Sequence, residues 1–375
     1  MLLLLCILCV MMIVCMGMGM GMGMESYGVM RRVHPETYFR FGEGYEVDVE
    51  SQRLTRSYEM ALEGVMGARM SMLHEASIVF LDDLNDMDIF LRVAGDMRNV
   101  KLVVGLRSIN FFASKGHLGM ILEKFLSEDE VMRTLPRTIP AYVIKDGEHK
   151  KERVKMVVDR LDKGPYILKT NRQRQVGIEI VMNPMNVVKK IEGGDYSVVQ
   201  ELLGDPYIVG GRKINIRVYI GIIKSPKKRL MVKAWHDGFV YYAPSRFDDE
   251  NASIYDKNIT TGYIDRSVYE ENPLTLMDLR DHMGTDKYRV LWDDVERVIG
   301  NIEYAYESIT YNMDRGGDFT RLAIMGVDFA VMKDLSVRLM EINKNPDTRG
   351  KSDRDQQLKI DMIAYFMNHA MFYDR

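Results

Sequence analysis

Two alternating strand patterns around a short turn constrain the fold of this 375-residue chain more than any other feature. They occupy residues 324–346 (IMGVDFAVMKDLSVRLMEINKNP), where apolar side chains recur at every second position on both sides of KDLS. A hairpin centred in the middle of KDLS places Asp328 opposite Glu341, because the numbers of paired residues keep a constant sum. Asn343 shares their face, so the sequence predicts three oxygen-bearing side chains within about 5–8 Å of one another.

These oxygen-bearing side chains predict a metal site. Two facing carboxylates repel each other unless a proton or a cation lies between them. Mg²⁺ prefers oxygen ligands, and it takes one or two carboxylates together with phosphate oxygens and water. We therefore expect Asp328, Glu341 and Asn343 to bind Mg²⁺ with a nucleotide triphosphate. The alternative is a solvated hairpin face on which acidic residues merely oppose one another.

The rest of the chain shows three successive blocks of strand and helix patterns, which predict an α/β (α+β) fold. The predicted elements are strands 77–81 and 101–106 around a helix through 87–94, helix 116–126, strand 141–144, helix 149–161, strand 166–169, strands 198–203, 214–222 and 229–235, helix 291–309, the hairpin and a C-terminal helix. The predicted domains are an N-terminal α/β domain (25–112), a central domain (113–198) and a C-terminal domain with the metal site (199–375).

Residues 1–24 are uncharged and almost entirely Leu, Met, Val, Ile, Cys and Gly, and Arg31 and Arg32 follow them. This pattern predicts a membrane anchor through a transmembrane helix, and the basic pair then leaves the catalytic domain in the cytosol. The alternative is a cleaved signal that directs the chain into the secretory pathway. All three cysteines lie in this segment, which excludes a thiol nucleophile or a Cys-based zinc site from the remainder.

The charge balance argues against nucleic acid as a partner. The chain has 51 Lys and Arg against 54 Asp and Glu, so it lacks the broad positive field that nucleic-acid binders use.

Basic residues in two other segments predict a phosphate site. Lys169 ends the apolar strand YILK just before a polar loop, where its ammonium can contact a phosphate. Lys213, Asn215 and Arg217 alternate along one strand and share one face. The hairpin partner (229–235) offers no acid to balance these cations, whereas a phosphate would. The alternative for each lysine is a solvated surface position.

Lysines from different blocks and an Asp/Glu/Asn cluster are together typical of a phosphoryl-transfer site. Other nucleotide and hydrolase designs fit less well. The chain lacks a P-loop, the catalytic and Gly-rich loops of protein kinases, a serine-hydrolase elbow and an H-E-x-x-H zinc motif.

At these residues the sequence resembles the tubulin-tyrosine-ligase-like family of ATP-grasp ligases. The resemblance follows ordered landmarks over roughly residues 100–370, which are LPRT, YILK, VVQELL, GGRKINIRVYI, WHDGFVYYAP, NITTGYI and MGVDFAVMKDLSVRLMEINKNP. It implies an ATP-grasp architecture with the nucleotide between the central and C-terminal domains.

The resemblance also implies roles for individual residues. Lys169 and Lys115 would contact phosphates, and Gln200, Glu201 and Leu203 would form the adenine-binding connector. Lys213 and Arg217 would hold the nucleotide and the transferring phosphate, so that Arg217 and Lys169 are the expected catalytic residues. The positions of Asn215 and Thr261 belong to the same nucleotide site, and Asp328, Glu341 and Asn343 would bind Mg²⁺.

Three departures from the family pattern concern the nucleotide and acceptor positions. Asn215 stands where the family usually has Asp, and the run Asn258 to Thr261 stands where it usually has H-L-T-N. His236 and Tyr241 replace two basic residues that help the family to hold its acidic substrate.

We therefore expect an ATP-dependent carboxylate–amine ligase that joins a free amino acid to a protein carboxylate through an acyl phosphate, as in glutamylation, glycylation or tyrosination. The resemblance implies ATP and Mg²⁺ as cofactors and tubulin, or another protein with an acidic tail, as the partner. The alternatives are a non-catalytic nucleotide-binding scaffold of the same fold and an ATP-grasp ligase acting on a small molecule.

Overall fold

Two β-sheets form the frame of the protein in a computed structural model of the chain. The structure describes residues 37–41, 54–71, 75–81, 99–106, 109–147, 149–162, 164–170, 177–310, 318–344 and 346–373. Its strands are β1 (Thr37–Phe41), β2 (Arg69–Met70), β3 (Ile78–Leu81), β4 (Leu102–Val104), β5 (Thr138–Pro140), β6 (Tyr166–Lys169), β7 (Ile178–Val181), β8 (Val198–Glu201), β9 (Ile208–Val209), β10 (Arg212–Lys224), β11 (Met231–Tyr242), β12 (Thr320–Val331) and β13 (Val337–Lys344).

Helices cover both sheets. They are α1 (Arg56–Glu59, continued by a π-helix over Met60–Val65), α2 (Ile109–Ala113), α3 (Lys115–Phe125), α4 (Glu128–Thr134), α5 (Ala141–Lys145), α6 (Lys150–Leu161), α7 (Pro184–Gly193), α8 (Ile254–Asn258), α9 (Val268–Glu271), α10 (Leu276–Met283), α11 (Thr285–Thr310) and α12 (Asp353–Phe372). Polar caps begin several of them. Asn183 before α7 and Ser352 before α12 accept backbone N–H groups of the first turn.

The larger sheet is built around β12. Within the described residues its main order is β11-β10-β12-β4-β3-β1-β2, with β13 paired to β12 and β9 to β10. β10 runs antiparallel along one side of β12, while β4 and β13 share the other side, β4 at Thr320–Leu322 and β13 at Met325–Val331. β12 is therefore an interior strand, and its side chains at all twelve positions are buried.

Both faces of this sheet are covered. Alternate residues of β10 and β12, such as Val218 and Val327, join the apolar core that includes α11. Tyr219 and Ile324 belong to the opposite core, which includes α12 and the π-helical turn. Burial on both faces explains why β12 is apolar at most of its positions.

The smaller sheet, in the order β5-β8-β6-β7, is antiparallel and has its own core with α5, α6 and α7. The prediction of a strand at residues 141–144 is wrong, because Ala141–Lys145 is helix α5. The strand is the preceding Thr138–Pro140, which pairs with β8. Pro140 ends it, since proline lacks an N–H for further pairing but fits the start of a helix.

Most other predicted elements are confirmed. The strands at 77–81 and 101–106 contain β3 and β4, which pair in parallel, whereas the helix predicted through 87–94 lies outside the described residues. The long helix begins at Thr285, earlier than the predicted Leu291. The domain boundaries stay predictions, and the larger sheet takes strands from both the N-terminal and the C-terminal predicted domains.

The prediction of a membrane-anchored protein is corrected. Among the described residues, none of the helices combines the length and the apolar character that crossing a bilayer requires. This finding contradicts the predicted transmembrane helix and the localisation derived from it. Residues 1–24, on which the prediction was based, lie outside the described residues.

Candidate active site

The β12–β13 hairpin brings the predicted carboxylates face to face. Asp328 pairs with Glu341, and Gly326 pairs with Asn343, as the constant sum of residue numbers required. The pairs nearer the turn follow a register shifted by one, because a β-bulge leaves Met340 without a partner. The bulge belongs to the geometry that aims the side chain of Glu341, as bulges commonly do beside functional sites.

Asn343 links the two carboxylates. Its Nδ2 lies 3.3 Å from Asp328 Oδ2 and 3.1 Å from Glu341 Oε1, and it donates to both. Glu341 Oε2 also lies 3.5 Å from the ammonium of Lys115, the first residue of α3. Burial alone would raise the pKa of Glu341, but Lys115 and Lys169 hold it below its ordinary value. Glu341 is therefore ionised at neutral pH.

Arg217 forms a two-pronged ion pair with Asp328 that the sequence analysis missed. The guanidinium Nε and Nη2 donate to the two carboxylate oxygens of Asp328 at 2.7 and 2.6 Å. Burial raises the pKa of Asp328 to about 6 although Arg217 opposes the shift. The sequence analysis considered only the hairpin partner (229–235) as a source of acid, but β10 lies between β11 and β12, and its second neighbour supplies the acid.

Two buried lysines approach the same region from different sheets. Lys169 ends β6, Lys213 lies near the start of β10, and they are only 6% and 5% exposed. Burial lowers the pKa of each ammonium to about 8, and repulsion from Lys169 contributes at Lys213. Lys213 Nζ has a neutral neighbour, Asn258 Oδ1, at 3.5 Å. Cations held out of water in this way are stabilised by a bound anion such as a phosphate.

The two lowered pKa values predict opposite pH effects on binding and on stability. The affinity for a phosphate-bearing ligand, for which ATP serves as the probe, is expected to fall as pH rises through about 8, because Lys169 and Lys213 lose the charge that attracts phosphate. The free energy of unfolding of the ligand-free chain should rise between about pH 8 and 10.5, since only the unfolded state then keeps these protons. Calorimetric ATP titration and urea unfolding at pH 7, 8 and 9 measure both. A Lys213→Met variant should flatten both profiles, and profiles as steep as those of the wild type would contradict the assignment.

A cleft of about 450 Å³ between the sheets collects most of the predicted site residues. Those that line it are Lys115, Lys169, Leu203, Lys213, Asn215, Arg217, Thr261, Asp328, Glu341 and Asn343. They come from the small sheet, from α3, from three strands of the large sheet and from the connecting segments that contain Leu203 and Thr261. The basic and acidic groups predicted from distant segments therefore face one space.

Gln200 and Glu201 lie beside the cleft. Gln200 lines a small adjoining pocket with Lys115 and Lys169, and its Oε1 is buried without a hydrogen-bond partner among the described residues. The Glu201 carboxylate accepts from the backbone N–H and the guanidinium of Arg137 at 2.8 and 2.7 Å. The side chain of Glu201 therefore fixes the connector, and it does not line the cleft.

His236 and Tyr241, the two β11 positions at which the family has basic residues, lie in different surroundings. Tyr241 lines the cleft beneath Arg217, whose guanidinium carbon lies 5.2 Å from the ring centre. His236 is exposed, packs against Trp235 and does not line the cleft. Of these two residues, Tyr241 is therefore the one placed to contact a ligand in the cleft.

Sequence reasoning also missed a second group of cations at the cleft, namely Arg266, Lys344, Arg349, Lys351 and Lys359. The basic residues within RGKSDR (349–354), just after the hairpin, were the available signal for Arg349 and Lys351. Arg266 and Lys359 reach the cleft from the segment after β11 and from α12, so no local pattern connects them.

The side chains at the hairpin fit a magnesium ion. Within the described part of the chain no three His, Cys, Asp or Glu residues cluster as metal ligands, so a metal here would have two carboxylates and an amide. Mg²⁺ suits that set, because it usually keeps waters and takes the remaining oxygens from phosphates. The raised pKa of Asp328 reflects a buried charge that a cation would stabilise.

A sequence profile of the tubulin-tyrosine ligase family matches residues 132–375, which is more than half of the chain. The chain belongs to the tubulin-tyrosine ligase family. The resemblance inferred from the motifs is thereby confirmed, and so is the α/β fold of ATP-grasp type that characterises this family of ligases.

Several relatives carry a described activity. The probable tubulin polyglutamylase TTLL9 of Rattus norvegicus is 22% identical over 177 residues, covering 44% of this chain and 36% of that protein. The tubulin polyglutamylase TTLL13 of Mus musculus is 23% identical over 214 residues, covering 51% of this chain and 26% of that protein. The probable alpha-tubulin polyglutamylase Ttll1 of Tetrahymena thermophila is 24% identical over 213 residues, covering 54% of this chain and 49% of that protein. The matched part thus spans about a quarter to a half of each relative's length.

Proposed function

We propose that this protein is an ATP-dependent carboxylate–amine ligase that adds an amino acid to a protein side chain or C-terminus. The observation that carries the proposal is the cleft in which the buried Lys169 and Lys213 face the opposed carboxylates of Asp328 and Glu341. Basic groups for phosphate next to acidic groups for a metal are what phosphoryl transfer needs.

The residues in and beside the cleft divide into four groups by their proposed task. Lys115, Lys169 and Lys213 would bind the phosphates of ATP, and Gln200 with Leu203 would contact adenine. The unpaired Gln200 Oε1 supports that contact, because it can accept from an amino group. Asp328, Glu341 and Asn343 would hold Mg²⁺, which when bound neutralises phosphate charge. Asn215 and Thr261 would complete the nucleotide wall.

The reaction needs no covalent attachment to the protein. A carboxylate oxygen of the acceptor attacks the γ-phosphorus of ATP, the bond to the bridging oxygen breaks, and ADP leaves with that electron pair. The amino group of the free amino acid then attacks the acyl carbon, inorganic phosphate leaves, and the amine gives up a proton as the amide forms. Arg217 and Lys169 would stabilise the charge on the transferring phosphoryl group.

The acceptor and the amino acid follow from the relatives. Because these are named tubulin polyglutamylases, we propose tubulin or another protein with an acidic tail as acceptor and glutamate as the amino acid. The nucleotide would lie between a central domain (113–198) and a C-terminal domain (199–375).

An ADP-release assay on the full chain tests the proposal. The chain is incubated with ATP and Mg²⁺, with each of the twenty amino acids, and with tubulin or a glutamate-rich peptide. We expect ADP release that requires both the acceptor and one amino acid. ATP binding without any ADP release would instead favour a scaffold protein, and release with amino acids alone would favour a small-molecule ligase.

Replacing Lys169 with alanine is expected to weaken ATP binding. A hydrogen bond to a charged group contributes about 1.5–3 kcal/mol, which corresponds to roughly a 10- to 100-fold rise in Kd. Isothermal titration of the variant against the wild type gives the change. Lys155→Ala is a matched control, because Lys155 is an exposed lysine of α6 that pairs with Asp159 away from the cleft. Equal affinities in all three proteins would exclude Lys169 from the phosphate site.

A further inference from the structure

The outer part of the cleft is bounded by two segments that face each other. One is the loop Asp347–Lys351 between β13 and α12, which we call the mouth loop. The other is the segment Gly262–Arg266, which follows the predicted nucleotide residue Thr261. Lys351 joins the two walls, because its Nζ donates to the carbonyl oxygen of Gly262 at 3.1 Å and lies 4.5 Å from the ring centre of Tyr263.

The charges of this outer part do not cancel. Asp347 is taken up by Arg349 through contacts of 2.9 and 3.1 Å, and Asp355 lies 2.8 Å from the ammonium of Lys359. Lys351 and Arg266 both line the cleft and are exposed. Among the described residues, no carboxylate comes within ion-pair distance of either side chain. Two cations at the mouth therefore lack an acidic partner.

The electrostatic environment of Lys351 agrees with this balance. Partial burial lowers the pKa of its ammonium, the charges of Arg266 and Lys359 lower it further, and the smaller opposing effects of Asp355 and Asp347 do not reverse the shift. Like charges that repel one another at a cleft entrance are stabilised by an anionic ligand.

Hydrogen bonds from side chains outside the mouth loop to its backbone hold the loop in place. Ser57 in α1 donates its hydroxyl to the carbonyl oxygen of Thr348 and accepts from Gln356 Nε2 at 2.6 Å. The other end of the same amide, Gln356 Oε1, accepts from the backbone N–H of Gly350 at 3.2 Å. Lys359 Nζ donates to the carbonyl oxygen of Arg349 at 2.7 Å. The loop is thus pre-organised for binding, which reduces the entropy lost when a ligand is bound.

We propose that Lys351 and Arg266 form the subsite that holds the carboxylates of an acidic acceptor peptide. The inference rests on the proposed function and adds the location of its acceptor. Tyr241 supplies no charge to its wall, where the family resemblance led us to expect a basic residue, and the neighbouring Arg217 is taken up by Asp328. In this chain the mouth loop and Arg266 supply the positive charge instead. An extended acidic segment fits this arrangement, because the two cations lie at the open end of the cleft.

Direct peptide binding tests the subsite without requiring catalysis. Fluorescence anisotropy would measure the Kd of a fluorescein-labelled hexaglutamate peptide for the full chain with Mg²⁺ and a non-hydrolysable ATP analogue. The double variant Lys351→Gln with Arg266→Gln is expected to raise this Kd at least tenfold and to make it less sensitive to salt. The affinity for the ATP analogue should stay within twofold of the wild type, which also reports an intact fold.

The matched control removes two exposed cations elsewhere. Lys227 lies in the β10–β11 turn and Arg289 in α11, and neither lines the cleft. The double control Lys227→Gln with Arg289→Gln should bind the peptide like the wild type. Equal weakening in both double variants would show an effect of net charge alone and would overturn the proposal.

Two further results would also overturn the proposal. One is the absence of peptide binding to the wild type at millimolar peptide, and the other is equal affinity of the wild type and the Lys351→Gln, Arg266→Gln double variant for the peptide. Competition by inorganic phosphate at the same concentration as glutamate peptide would identify a phosphate site instead of an acceptor site. If the peptide binds as expected but no amino acid supports ADP release, the proposed ligase function fails while the anion subsite stands.

Discussion

Replacing Glu341 with glutamine is expected to reduce ATP-dependent turnover by at least ~100-fold while leaving the protein folded. The substitution keeps the shape of the side chain but removes one of the two facing carboxylates, and loss of such electrostatic stabilisation typically costs a factor of about 10²–10³. The partly exposed contact between Glu341 and Lys115 contributes little to stability, so the melting temperature should change by only a few degrees.

Glu307→Gln is the matched control for this experiment. Glu307 pairs with Arg229 on the outer surface, and its side chain is 27% exposed, close to the 30% of Glu341. The control should keep full ADP release. Unchanged ADP release in the Glu341 variant would contradict a metal site at the hairpin, and a large fall in its melting temperature would indicate a structural role instead.

Removing the carboxylate of Asp328 is expected to have the largest effect on stability. Asp328→Leu leaves the guanidinium of Arg217 buried without its partner, which should lower the free energy of unfolding by about 3–5 kcal/mol. The double variant Arg217→Met with Asp328→Leu removes both charges and should recover most of that loss. Urea unfolding of the two single variants, Arg217→Met and Asp328→Leu, and of the double variant measures the coupling between the two residues.

Activity and stability should separate in this series, because the double variant is expected to be folded but unable to release ADP. A loss in the double variant equal to the sum of the losses in the two single variants would show that the ion pair does not couple Arg217 to Asp328. Full activity in the double variant would exclude both residues from the reaction.

The hairpin could be predicted from the sequence because all of its determinants are local. Period-two alternation and a short turn fix which residues face each other, and the pairing of Asp328 with Glu341 followed directly. The bulge at Met340 left no recognisable signal. The predicted strand at 141–144 failed for a similar reason, since a four-residue apolar run does not distinguish a strand from the first turns of a helix.

The contacts that could not be predicted join segments far apart in the chain. Arg217 and Asp328 are 111 residues apart, and their pairing depends on which strands are neighbours in the sheet. The same holds for Lys351 and Arg266, whose proximity depends on how the segment after β11 returns to the cleft. Sequence patterns identify the surface that a strand or helix buries, whereas strand order is decided by the packing of the whole sheet.

The pairing of β4 with β12 has a consequence for choosing the boundaries of fragments for expression. The profile match begins at residue 132, but two structural contacts come from residues before it. β4 pairs with Thr320–Leu322, and Ser57 donates a hydrogen bond to the mouth loop. A fragment trimmed to the matched region would expose a strand edge that is covered in the intact chain, and such edges promote aggregation. The region recognised by the family profile is therefore shorter than the region that must be expressed to keep the large sheet and the mouth loop intact.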